Sequence, residues 1–173
     1  AHAMETDEFI GELMDRLEKD GHIEDTVLIF FSDHYAKYMS DTEFVMQLKG
    51  ADNQDMLCKT PFFIYNAGTP AVTVTKPSST MDIAPTIANM FGLDVNYAYY
   101  AGDDIFGEGG GCVIFKNYNW YDGDIYYSSE YEGETTEYIK HMNEQVHLRL
   151  DNAWATLQSN YFAHLSENEQ DGK

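Results

Sequence analysis

An aspartate and a histidine stand side by side at Asp33-His34, directly after the apolar run Thr26-Val27-Leu28-Ile29-Phe30-Phe31-Ser32. A carboxylate and an imidazole both ligate divalent ions, and two such ligands leave positions open for a reacting group. Ser32 completes the residue types of a hydrolase triad. Consecutive strand residues point to opposite faces, however, so these three make no proton relay. Metal ligation by Asp33 and His34 is the expectation; the competing reading is a strand that has reached solvent, with Asp33 capping the next segment.

The elements around the pair must place it. Asp7 to Leu17 carries Ile10, Leu13, Met14 and Leu17 at helical spacing, with Gly21 as a stop. The apolar run that follows fits a strand covered on both faces in a parallel sheet, and open α/β sheets place their chemistry at the carboxyl ends of such strands. A polar stretch leads to a second strand at Pro61 to Tyr65, then to a helix over the run Ser78 to Gly92, closed by Gly92.

This order of helix, strand, Asp-His, Thr60-Pro61-Phe62-Phe63-Ile64 and Met81-Asp82-Ile83-Ala84-Pro85-Thr86-Ile87 resembles the carboxyl-terminal half of the alkaline phosphatase and sulfatase superfamily. Within it, Ser32-Asp33-His34-Tyr35 and Gly102-Asp103-Asp104-Ile105-Phe106-Gly107 are most similar to segments of lipoteichoic acid synthases and related phosphoglycerol transferases. The likeness runs from about residue 3 to residue 128.

The resemblance implies a partial alkaline-phosphatase-like α/β sheet flanked by helices. It implies phosphate-ester chemistry through a hydroxyl nucleophile with one divalent ion, usually manganese, held in part by residues matching Asp33 and His34. The family's nucleophilic threonine and glutamate ligand lie in an amino-terminal half that would precede Ala1. The chain is thus expected to be a catalytically silent fragment, with that half as its partner. In the full enzyme a glycerophospholipid and an envelope polymer would be substrates, at the extracellular face of a membrane-anchored parent. No histidine falls between His34 and His141, which favours one ion over two. An exported sulfatase fragment is the alternative within the enzyme class, and a noncatalytic acidic glycan- or protein-binding module the alternative outside it.

Thirty acidic against ten basic side chains give a net charge of −20, which argues against nucleic-acid binding because duplex affinity needs cations to neutralise phosphates. The excess is otherwise read as a solvated acidic surface. Cys58 and Cys112 are too far apart for a zinc knuckle or a redox pair and are read as reduced or buried, with a disulfide between them as the alternative. Gly107 to Gly111 lacks the lysine of a phosphate-binding loop and reads as a flexible connector. No stretch approaches the apolar length of a membrane helix.

From Cys112 the chain becomes aromatic. The runs Cys112 to Lys116 and Asp124 to Ser128 flank Asp122-Gly123, a hairpin signal. Tyr118, Trp120, Tyr121, Tyr126 and Tyr127 are expected to pack a small sheet, with a sugar-stacking platform as the alternative. Glu134 to about Leu165 carries apolar residues every three or four positions, one long amphipathic helix or two in sequence. His141 and His147 are six apart and on different faces, and His164 reads as a surface residue. Ser166 to Lys173 reads as a frayed polar tail. The resulting division is 1–111 for the α/β part, 112–133 for the antiparallel hairpin subdomain and 134–173 for the helix and tail. Open sheet edges lead us to expect self-association of such a fragment.

Overall fold

The structure, a computed structural model, describes residues 2–165; the expected polar tail lies outside the described residues. The chain is mixed α/β and forms two compact units, Ala1–Thr73 and Val74–Lys173.

The first unit contains α1 (His2–Lys19), β1 (Leu28–Phe31), α2 (Thr42–Lys49) and β2 (Phe62–Tyr65). Helix α1 extends beyond both limits set by its apolar periodicity. Asn66 closes the unit's loop end: its amide donates to the carbonyls of Glu24 and Thr26 at 3.2 and 3.0 Å, clipping the approach to β1 against the end of β2. Two 3₁₀ turns, Ala36–Tyr38 and Asp55–Cys58, flank α2 in sequence.

The expected parallel strand buried on both faces is not what forms. Strand β1 pairs antiparallel with β2, with Ile29 opposite Ile64 and Phe30 opposite Phe63. Opposed residues share a face, so Phe30 and Phe63 lie on one side of this ribbon and Phe31 and Phe62 on the other. Phe31 is 56% and Phe63 61% exposed. An apolar run specifies that a strand is to be covered but not which way its neighbour runs. Among the described residues each strand has only the other to bond with, and this unit fully buries only Val45 and Leu57 of its large apolar side chains.

The second unit is built around α3 (Ile83–Met90), a three-stranded antiparallel sheet of β3 (Val113–Ile114), β4 (Trp120–Tyr121) and β5 (Tyr126–Tyr127), and α4 (Glu137–Gln158). Its core brings Ile114, Trp120, Ile139 and Val146 together. Asp122-Gly123 does turn a hairpin, but its strands are β4 and β5; Val113–Ile114 pairs on the far side of β4. Phe115 to Asn119 close the first turn instead, Phe115 N–H donating to the Asn119 carbonyl at 2.9 Å. Of the two readings of the carboxyl-terminal pattern, the second holds. Helix α4 starts at Thr136, whose side chain accepts from the Ile139 N–H, and ends at Ser159; Asn160, at φ 51°, separates it from helical residues 161–165.

Asp82 organises the start of α3. It is 7% exposed, and its carboxylate accepts from the Ser79 N–H at 2.6 Å and the Asp103 N–H at 2.7 Å. Thr86 extends the network, donating to the Asp82 carbonyl and accepting from the Ile105 N–H. Pro85 sits in the first turn, where its missing N–H has no helical partner to lose. The loop carrying Asp103 approaches closely because residue 102 is glycine: a Cβ there would collide with the Met81 backbone. Gly111 is similarly pressed against the Pro77 carbonyl, so the glycine run expected to be a free connector is anchored at its end. Asp82→Ala strands these donors and is expected to destabilise the second unit by about 3 kcal/mol in urea denaturation, with Asp82→Asn intermediate.

Candidate functional site

Strand β1 stops at Phe31, two residues before the Asp-His pair, and the chain bends at Asp33 and His34. That early stop frees the pair from strand alternation. The Ser32 hydroxyl donates to the His34 carbonyl at 2.6 Å, closing a short turn, and His34 Nε2 lies 3.6 Å from Asp33 Oδ2. The two atoms are thus close neighbours. Both side chains are turned to solvent, 84% exposed for His34 and 88% for Asp33. Ser32 is committed to a carbonyl, in line with the rejection of a triad.

A carboxylate oxygen and an imidazole nitrogen so placed fit two positions on a manganese or zinc ion. Among the described residues there is no group of three or more histidine, cysteine or acidic side chains that could hold a metal ion. The pair alone supplies two donors, fewer than a bound ion takes.

The segment after the pair carries a cation whose surroundings the sequence does not announce. Lys37 places its ammonium 5.9 and 5.7 Å from the ring centres of Tyr35 and Tyr38. Burial lowers its pKa, but a hydrogen bond with Cys58 and the charge of Asp55 outweigh that and leave it raised. Lys37 thus sits in the electrostatic neighbourhood of the turn at Asp55–Cys58. Nothing in the spacing of Lys37 and Cys58 announces this.

The other candidates are structural. Trp120 is fully buried and stacks on Tyr127 with ring centres 5.5 Å apart, so it packs a core and presents no face to a sugar. Its indole N–H donates to Asn143 Oδ1 at 2.8 Å. His147 stacks on Tyr118 at 4.3 Å, away from any ligand set. Both cysteines are free thiols. Burial pushes Cys112 up to about 11 despite the nearby Arg149, so it is a poor nucleophile at neutral pH. Arg149 itself pairs with Asp103 at 2.6 Å, tying α4 to the loop after α3.

Asp122 carries the clearest pH dependence. Burial raises its pKa, but the Tyr138 hydroxyl at 2.6 Å and the N–H groups of Ile125 and Asp124 outweigh this and lower it below 3.8. Its own bond to Asp122, with burial, in turn pushes the Tyr138 phenol up to about 12. A carboxylate with a lowered folded pKa adds stability that is complete above its unfolded value and lost as pH falls through the folded value. Acid unfolding below pH 3.8 is expected to be shallower in Asp122→Asn than in the parent chain, measured by circular dichroism.

No helix among the described residues is long and apolar enough to cross a membrane. No solved structure matches the chain at a significant level. Over 117 residues it is 28% identical to lipoteichoic acid synthase 2 of Bacillus subtilis (strain 168), covering 64% of this chain and 18% of that one. Over 144 residues it is 27% identical to the lipoteichoic acid synthase of Staphylococcus aureus (strain USA300), covering 76% of this chain and 22% of the relative. The chain spans about a fifth of the length of these curated relatives. The family model described as Sulfatase matches residues 1–93, a stretch that runs through Asp33-His34 and both strands of the ribbon to the end of α3. With more than half its length matched, the chain belongs to the Sulfatase family.

Proposed function

We propose that this chain is part of a metal-dependent phosphoglycerol transferase similar to lipoteichoic acid synthase. The parent would move glycerol phosphate from a glycerophospholipid to a cell-envelope glycan or polymer, at the extracellular face of the membrane that anchors it. The observation that carries the reading is the proximity of the Asp33 and His34 side chains just beyond the end of β1, inside the family match. The names of the relatives favour phosphoglycerol transfer over sulfate-ester hydrolysis.

Asp33 and His34 would hold one manganese ion. When bound, such an ion lowers the pKa of an attacking hydroxyl and neutralises charge on the phosphoryl oxygens. The Ser32 bond to the His34 carbonyl closes the backbone turn that carries the two donors. The remaining ligands and the nucleophile belong to the amino-terminal half of the parent, the partner of this chain. The uncovered faces of the β1–β2 ribbon support that completion, because apolar faces of this kind are stable only when covered. They support self-association of the isolated chain for the same reason.

With manganese and phosphatidylglycerol, the full-length parent is expected to release diacylglycerol and the 173-residue chain alone none. Diacylglycerol release by the chain alone contradicts the reading. So does a parent that cleaves an aryl sulfate and leaves the lipid intact.

A further inference from the structure

Asp33 and His34 sit between two elements that do little to fix them. Strand β1 ends its pairing at Phe31, opposite Phe62, and the turn at Ala36–Tyr38 begins from Tyr35 without a side-chain cap. The two donor side chains are 88% and 84% exposed, so packing restrains neither. A segment held this loosely has backbone freedom to lose when it takes up an ion, and that loss is subtracted from the affinity.

Ser32 supplies a restraint that packing does not. It follows directly on β1 and is half-buried, whereas the two residues after it are exposed. Its hydroxyl donates to the His34 carbonyl at 2.6 Å, closing the backbone across Asp33. At a rise of about 3.3 Å per residue, a continued strand would carry that carbonyl beyond the reach of a serine, and the Asp33 and His34 side chains would point to opposite faces. The bond thus favours the bent backbone, in which Asp33 Oδ2 and His34 Nε2 stand 3.6 Å apart, over the extended one.

We infer that Ser32 is a positioning residue for the Asp33-His34 pair: its hydroxyl pre-forms the turn that carries the two donors and so raises their affinity for a divalent ion. Ser32 acts through its neighbours and is not itself a ligand. That role rests on the metal reading above and adds a residue to it.

The test is manganese titration of the 173-residue chain, read by paramagnetic broadening of its backbone amides, for the parent, Ser32→Ala and Ser32→Thr. Ser32→Ala is expected to need about three- to tenfold more manganese for the same broadening at residues 32–35, the fold-change equivalent to one net hydrogen bond. Ser32→Thr keeps the hydroxyl and is expected to restore the parent's affinity. The melting curve stays where it was in both variants, because the bond lies at the surface. A serine with only a structural role would instead lower the melting temperature in Ser32→Ala and leave manganese affinity unchanged. Undiminished affinity at residues 32–35 in Ser32→Ala, or a loss in Ser32→Thr as large as that in Ser32→Ala, overturns the inference and leaves the pair as a metal site. Failure of the metal reading is seen separately, as broadening of the parent chain that Asp33→Ala/His34→Ala does not change, and it overturns both.

Discussion

If Asp33 and His34 ligate the ion as proposed, alanine at either is expected to lower turnover of the full-length parent by at least about a hundredfold, because loss of a mere outer-shell partner of a metal ligand already costs 10- to 100-fold. The side chains are 88% and 84% exposed, so neither truncation opens a cavity and the melting temperature stays where it was. Loss of activity with retained stability separates a ligand from a structural residue. The donor types sharpen the test. His34→Asn replaces a nitrogen donor with an oxygen donor and is expected to weaken manganese and zinc far more than calcium, which prefers oxygen. Asp33→Asn keeps an oxygen but removes its charge, and falls between the parent and Asp33→Ala. Metal content by atomic absorption together with diacylglycerol release reads both effects, and equal loss for all three metals in His34→Asn counts against direct ligation.

Trp120→Ala destabilises the second unit by about 3–5 kcal/mol, the range for removing a buried aromatic side chain. Three things are lost at once. The indole is fully buried among Ile114, Ile139 and Val146, it stacks on Tyr127 at 12° between planes, and its N–H satisfies Asn143. Asn143 lies on α4 and Trp120 on β4, so that one bond couples helix to sheet. Trp120→Phe restores much of the apolar volume but leaves the Asn143 oxygen without its donor, and is expected to recover about half of the loss. Urea denaturation followed by far-ultraviolet circular dichroism measures both variants. A loss below about 1 kcal/mol for the alanine variant contradicts this packing.

Much of the architecture was readable in the sequence, and what was not has physical causes. Both strands of the ribbon announce themselves as apolar runs, and α3 by the apolar pattern after Ser78 and the Gly92 that closes it. Strand direction was not readable, because burial pattern says nothing about the polarity of the neighbour. Helix α2 was passed over as a polar stretch, since only Val45 of its eight residues is buried and its periodicity is faint. Asp41 before it and Gly50 after it are the start and stop signals that mark it. Strand β4 is two residues long and too short for alternation to show.

The Asp-His pair was visible as a chemical type, but the proximity of its side chains was not: continued strand geometry would have splayed the two side chains. Long-range ties such as Arg149 to Asp103, 46 residues apart, leave no local trace at all.

The most direct test of the central claim is a manganese titration of the 173-residue chain, read by paramagnetic broadening of its backbone amide resonances. Ligation by the pair predicts broadening centred on Ser32 to Tyr35 at low manganese, abolished in Asp33→Ala/His34→Ala. Broadening spread over the acidic surface, or unchanged in that double variant, contradicts it.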